Sequence, residues 1–185
     1  MSIFNYNRRK TISVNIGGTP LGSEHPIRLQ SMASTSTMDT EGSVAQCGRI
    51  AQTGASYIRL TAQGVREAEN LGNIKALLRE KGINTPLVAD IHFNPRAAFA
   101  AAEVVEKVRI NPGNYIDPAR KFKQIDYTDE EYQTELERLR ARFVQLLNIC
   151  KEHKTALRIG VNHGSLSDRI MSRYGDTPEG MVESC

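Results

Sequence analysis

Residues 87–112 read LVADIHFNPRAAFAAAEVVEKVRINP, and three patterns follow one another within them. Leu87–Phe93 is a short β-type run, Pro95–Val105 carries a helical pattern, and Val108–Pro112 is a second β-type run. A strand, a helix and a strand in so short a span make one unit of a parallel sheet. Ala97–Val105 is the longest apolar stretch of the chain; interrupted by Glu103, it reads as a buried helix face. It is far shorter than the roughly 18 apolar residues a membrane span requires.

The rhythm repeats outward in both directions. Further strand-like runs fall at Ile27–Met32, Tyr57–Ala62 and Ala156–Asn162, with helical patterns at Thr40–Gln52, Val65–Lys81 and Asp129–His153. The first three strands begin about 30 residues apart, the size of one βαβ unit. Ahead of them, Thr11–Val14 and Ile16 alternate around Gly17-Gly18, the pattern of a small hairpin. Thr128 and Glu131 make a capping box for the long helix, along which Leu136, Leu139, Phe143, Leu146 and Cys150 recur at helical spacing. The connection Tyr115–Tyr127 is either an ordered excursion or a mobile loop. Thr177-Pro178-Glu179 reads as an N-cap with Pro at the first helical position, and Met181 and Val182 begin an apolar face behind it. The expected fold is therefore α/β, with about five parallel strands and an N-terminal hairpin. Either these are residues 1–185 of a TIM-type (β/α)8 barrel truncated before closure, or they form an open five-stranded sheet complete in itself.

Composition narrows the function. With 24 Lys+Arg against 21 Asp+Glu over 185 residues, a net charge of +3 is too diffuse for a nucleic-acid surface. Cys47, Cys150 and Cys185 are odd in number, far apart and in no C-x-x-C pair, so they build neither a disulfide framework nor, alone, a zinc or iron–sulfur motif. A reducing cytoplasm is the expected location. MSIFNYNRRK at the N-terminus has charge without an apolar region after it, so neither secretion nor membrane insertion is expected. No P-loop, G-x-G-x-x-G, H-E-x-x-H or G-x-S-x-G motif occurs.

The informative residues are polar ones on apolar strands. Residues i and i+2 of a strand share a face. Arg59 with Thr61, Asp90 with His92, Arg109 with Asn111, and Arg158 with Asn162 across Gly160 all show that spacing. A guanidinium cannot shed its charge, so an Arg inside a strand requires a partner. Three Arg with one Asp leave a local excess near +2, which calls for an anion. Phosphate or diphosphate fits planar guanidinium groups best. The loops Asn111–Asn114 and Asn162–Ser165 combine glycine with side-chain donors, as anion nests require. The competing reading is that the three Arg satisfy carboxylates such as Asp90 inside a barrel. His92 is either a hydrogen-bonded structural residue or a proton carrier oriented by Asp90. A metal site at Asp90-x-His92 is opposed by the three guanidinium charges, and no metal ligand set is expected in this chain. His163, in a glycine loop, is a lesser candidate. The Ser/Thr cluster Ser31–Thr40 is open to two readings, ligand binding or helix capping.

The segments IRLQSM, SYIRLTA, PLVADIHF, VRINPGN and LRIGVNHGSLSDRIMSRYGD, in that order, resemble the N-terminal barrel of the 4-hydroxy-3-methylbut-2-enyl diphosphate synthase family. The likeness runs from about Arg9 to Cys185, and KQIDYTDEEYQ resembles the longer, three-domain form of that family. It implies an oxidoreductase of isoprenoid biosynthesis that reductively opens 2-C-methyl-D-erythritol 2,4-cyclodiphosphate. It further implies a [4Fe–4S] cluster whose ligands lie outside this chain, and ferredoxin or flavodoxin as electron donor, with a homodimer among the assemblies it allows. By motif, Arg59, Arg109, Asn111, Arg158 and Asn162 would bind substrate, and Asp90 and His92 would be catalytic. A chain of this length would then be an inactive part of the enzyme. The alternatives are a stand-alone anion- or phosphate-binding module and a fragment of a pterin-binding barrel.

Overall fold

A computed structural model describes residues 9–116 and 126–185. In chain order the strands are β1 Val14–Ile16, β2 Thr19–Leu21, β3 Gln30–Met32, β4 Tyr57–Ala62, β5 Leu87–Ile91, β6 Lys107–Ile110 and β7 Ala156–Ile159. The helices are α1 Thr40–Gln52, α2 Val65–Glu80, α3 Pro95–Val104, α4 Pro112–Tyr115, α5 Asp129–His153, α6 Asp168–Tyr174 and α7 Pro178–Ser184. β1 and β2 form the expected antiparallel hairpin, and β3-β4-β5-β6-β7 form one parallel sheet in sequence order. The barrel is not closed among the described residues: β3 and β7 are the two edges. The expected connection Tyr115–Tyr127 lies largely outside the described residues.

Strand parity divides the sheet into two chemically different faces. Ile58, Leu60 and Ala62 of β4, Leu87, Ala89 and Ile91 of β5, and Val108 and Ile110 of β6 are all buried in the main core. That core also takes in α1, α2, α3 and α5. The Ala97, Ala98, Ala101 and Ala102 face of α3 is fully buried, and its small side chains let the helix lie close between α2 and α5. The opposite, inner face carries the polar residues. Register sets them in rows: Thr61, Asp90, Arg109 and Arg158 are neighbours across four strands, and Met32, Arg59, Val88, Lys107 and Ala156 form the row beneath.

The hairpin covers the lower end of this inner face. Ile16, Tyr57, Val88 and Ala156 make a small second core there, and the Tyr57 hydroxyl donates to the Thr19 carbonyl of β2 at 2.9 Å. At the same end Glu106 ties several elements together. It pairs with Lys75 at 2.9 Å and Arg79 at 3.0 Å on α2, and accepts the Leu87 N–H at 2.8 Å at the start of β5. Its side chain also fills the space beside Gly17, whose φ of +56° at the hairpin turn favours glycine.

The strands are shorter than their sequence pattern. β5 stops at Ile91 because Phe93 takes a left-handed φ of 59° and Asn94 then caps α3, accepting the Arg96 and Ala97 N–H groups. β6 stops at Ile110 because Asn111 caps the one-turn helix α4 through the Gly113 N–H, with Pro112 at its first position. β7 stops at Ile159, and a 3-10 turn follows at His163–Ser165. β3 pairs only over Gln30–Met32, although the Leu29 carbonyl still accepts from Ser56 and Tyr57. Helices α4 and α6 escape the periodicity because four and seven residues are too few to display an apolar face. The Thr128–Glu131 capping box and the Thr177-Pro178 helix start are both present. Leu146 and Cys150 of α5 are buried as the spacing predicts; Leu136, Leu139 and Phe143 are only half-buried, lining a small cavity of about 150 Å³ with Ile110 and Ile159.

Replacing Glu106 by Ala strips two cations and a strand N–H of their shared acceptor. The expected loss is roughly 2–4 kcal/mol. It is read as a lower urea midpoint with an unchanged m-value; an unchanged midpoint would contradict the role assigned to this carboxylate.

Candidate functional site

Asp90 sits at the centre of the inner face, 2% exposed, with three strands aiming cationic or titratable groups at it. Its Oδ1 accepts from Arg109 Nη1 at 3.0 Å. Its Oδ2 pairs with Arg59 Nη2 at 3.3 Å and with His92 Nε2 at 3.3 Å. A carboxylate only accepts, so Nε2 carries the hydrogen in that contact, the approach of Arg109 Nη1 to the same nitrogen at 3.5 Å is then not a hydrogen bond, and Nδ1 is the imidazole atom left for other partners. Arg59 and Asp90 belong to different rows, so Arg59 reaches upward across the register to make this pair. The competing sequence reading, Arg satisfied by Asp90, is thus met in part: one carboxylate balances two guanidinium groups, and the surplus positive charge remains.

Arg109 is held most firmly. Besides Asp90 it donates through Nη2 to the Gly160 carbonyl at 2.8 Å. The guanidinium lies directly over Gly160, where an added Cβ would stand 2.5 Å from Arg109 Nε. Glycine at position 160 therefore makes room for the Arg109 side chain, a function that its place between Arg158 and Asn162 did not disclose. The Nε atoms of Arg59 and Arg109 are buried without a partner among the described residues. Arg109 is 6% exposed, whereas the Arg59 side chain is 25% exposed and opens toward solvent.

Arg158 is Arg109's register neighbour on β7 but is exposed, and no ion pair or hydrogen bond engages it among the described residues. Asn162 is likewise exposed; its carbonyl, not its side chain, accepts from Ser165 in the 3-10 turn. Asn111 is buried and braces the loops: Oδ1 accepts the Gly113 N–H at 3.1 Å, and Nδ2 donates to Ser165 Oγ at 2.5 Å. The two loops touch so closely that a Cβ at Gly113 would collide with the Ser165 carbonyl. The structure thus brings Arg59, Asp90, His92 and Arg109 into one cluster, places Asn111 as a brace beside it, and leaves Arg158 and Asn162 unengaged at the rim. His163 lies apart, paired with Asp176 at 2.9 Å on the surface.

The Ser/Thr loop after β3 is fastened to α1 and α2 by side chains the sequence did not single out. Gln46 Oε1 accepts the Ser34 and Thr35 N–H groups at 2.9 and 3.0 Å, and Gln46 Nε2 donates to Ser34 Oγ. Asn70 Nδ2 donates to the Thr37 carbonyl at 2.7 Å, while Thr37 Oγ1 donates to the Thr61 carbonyl at 2.6 Å. Asp39 caps α1. This loop, with Thr61, Gln63 and Glu67, walls an open hollow of about 750 Å³ at the carboxyl ends of β3 and β4.

The cysteines do not converge. Cys47 on α1 and Cys150 on α5 are buried on helices separated by α2 and α3, and burial pushes the Cys47 thiol up to about 11. An iron–sulfur cluster needs several thiolates around one point, so these residues do not fit such a group.

The model for the GcpE TIM-barrel domain matches residues 11–185. Curated relatives share 66% identity (Phocaeicola vulgatus) and 68% identity (Parabacteroides distasonis) over all 185 residues; both are named 4-hydroxy-3-methylbut-2-en-1-yl diphosphate synthase (flavodoxin). A rice protein named as the chloroplastic, ferredoxin form is 51% identical over 183 residues, 99% of this chain and 25% of that protein. The chain spans 30% of the length of the two bacterial relatives. A solved dihydropteroate synthase from Xanthomonas albilineans covers 93% of this chain and 84% of its own at 18% identity and a TM-score of 0.38, a likeness too slight to bear on fold or function. With its parallel βα units, its polar inner face and a family match over nearly its whole length, the chain belongs to the GcpE TIM-barrel domain family.

Proposed function

We propose that this chain is the N-terminal, substrate-binding part of a TIM barrel in an enzyme that reductively opens 2-C-methyl-D-erythritol 2,4-cyclodiphosphate to 4-hydroxy-3-methylbut-2-enyl diphosphate. The observation that carries the reading is the Asp90-centred cluster: two guanidinium groups aligned by one carboxylate, with a third at the rim, on the inner face of a parallel sheet. Aligned guanidinium groups grip phosphate oxygens in pairs. Arg109, pinned by Asp90 and the Gly160 carbonyl, supplies a fixed contact, and Arg59 and Arg158 close on the diphosphate from either side, with Asn162 beside them. Asn111 holds the α4 and β7 loops in register so that these groups face one another.

His92 is suited to proton transfer. Asp90 orients the ring through Nε2, so Nδ1 is the atom that accepts a proton and hands it on to the oxygen that departs as water. The names of the relatives point to flavodoxin or ferredoxin as the electron donor, and thus to an iron–sulfur enzyme. We read the [4Fe–4S] cluster as held by residues outside this chain, since Cys47 and Cys150 are buried on separate helices and no cluster of three metal-ligating side chains forms among the described residues. What these residues do themselves is bind, orient and protonate. The reducing, cytoplasmic setting that the free cysteines suggest suits such chemistry.

Calorimetry of the full-length protein with the cyclic diphosphate separates the roles. Arg158→Ala weakens binding about 10- to 100-fold with little change in stability, because that side chain makes no ion pair or hydrogen bond among the described residues. Arg109→Ala weakens binding at least as much and lowers stability as well, because Asp90 loses its best partner. Gly160→Ala removes no charge, yet weakens binding more than tenfold by displacing the Arg109 guanidinium. Unchanged affinity in Arg109→Ala would overturn the assignment of the site.

A further inference from the structure

One row beneath the cluster, the inner face carries another cation that the polar-pair pattern did not include. Lys107 stands two residues before Arg109 on β6, so both side chains share the inner face about 7 Å apart along the strand. It is 6% exposed, and its ammonium sits 4.7 Å from the centre of the Tyr57 ring. That ring is itself buried and fixed, its hydroxyl bonded to Thr19 in the hairpin.

A buried ammonium normally has a carboxylate. Lys107 pairs with none among the described residues. The groups facing it are cations or already engaged: Arg59 on β4 and Arg158 on β7 both bear on it electrostatically, Arg109 follows it on β6, and Asp90 on β5 has both oxygens taken by Arg59, Arg109 and His92. Glu106, its neighbour in sequence, turns to Lys75 and Arg79 instead. Its row neighbours Val88 and Ala156 are apolar. The aromatic face of Tyr57 gives partial compensation, but no opposite charge.

We propose that Lys107 is the fourth cation of the anion site, a positioning residue whose ammonium, seated on the Tyr57 ring below the guanidinium groups, faces the charge of the bound diphosphate from beneath. The inference rests on the diphosphate reading above. Its consequence is a proton linkage. Burial, reinforced by Arg158 and Arg59, holds the free amine down at about 8. A bound anion favours the charged form, so binding draws a proton from solvent onto Lys107. The cyclic diphosphate is a clean probe, because each of its phosphorus atoms is tied by one ester and one anhydride bond, keeps a single strongly acidic proton and exchanges none itself between neutral and alkaline pH.

The test is calorimetry of the full-length protein with the cyclic diphosphate at pH 8.5, in two buffers of different ionisation enthalpy. If binding raises the amine by about one pKa unit, about half a proton is taken up per ligand, and affinity at pH 7 exceeds that of Lys107→Met about tenfold. Above pH 9.5 the two affinities converge. Lys107→Met takes up no proton, whereas Lys107→Arg, charged throughout, keeps the neutral-pH affinity without the uptake. Stability gives a readout without ligand. The native amine loses its proton near pH 8 and the unfolded one near 10.5, so burial of the charge costs stability below 8 and is relieved as pH rises through that window. Lys107→Met is accordingly more stable than the parent below pH 8, and the gap narrows toward 10.5. Binding by the parent without proton uptake, or with the same uptake in Lys107→Met, overturns the role of Lys107 and leaves the diphosphate reading intact. No binding by the parent removes both.

Discussion

A single buried carboxylate, Asp90, organises the inner face of this sheet. Guanidinium groups cannot deprotonate to escape burial, so two of them on one apolar sheet are tolerable only with an acceptor between them. Asp90 provides it, and in doing so fixes the direction of Arg59 and Arg109 and the ring of His92. One negative charge against several positive ones leaves the face electropositive. The same contacts that make the fold possible therefore leave a surplus that an anion satisfies.

The remainder of the architecture keeps this face polar without losing stability. Alternation sends every second residue of β4, β5 and β6 into the helical layer, so the apolar core and the site share the same strands. Below, the hairpin brings Ile16 against Tyr57, Val88 and Ala156, and the Glu106 hub locks the sheet to α2. At the upper end, the caps at Asn94 and Asn111 begin helices directly after β5 and β6, and Asp39 caps α1 at the end of the Ser/Thr loop. Phe93, left-handed between His92 and Asn94, turns the chain sharply from the site into α3.

Parity is a local property, and what depends on it was legible in the sequence: the parallel strands, the buried alanine face of α3, and the placement of Arg59, Asp90, His92 and Arg109 on one face. What depends on register between strands was not. That Arg59 crosses a row to reach Asp90, that Arg109 needs a glycine just after β7, and that Arg158 stands apart from the cluster all follow from how neighbouring strands are set, which no single run of residues records. Asn111 and Asn162 have the same residue type and the same place after a strand, yet one is a buried brace and the other exposed. The difference lies in whether an opposing loop comes within reach of the side chain. Lys107 was visible as a charge and missed as a site residue, because the polar-pair pattern ended at Arg109 and did not extend one step back.

Whether the Asp90-aligned arginines seat a diphosphate is decided by a crystal structure of the full-length protein with the cyclic diphosphate. Phosphate oxygens are expected within about 3 Å of the Arg59, Arg109 and Arg158 guanidinium groups, with the Asp90–Arg109 pair intact. Density for the diphosphate elsewhere, with these three side chains making only the contacts they make without it, would contradict it.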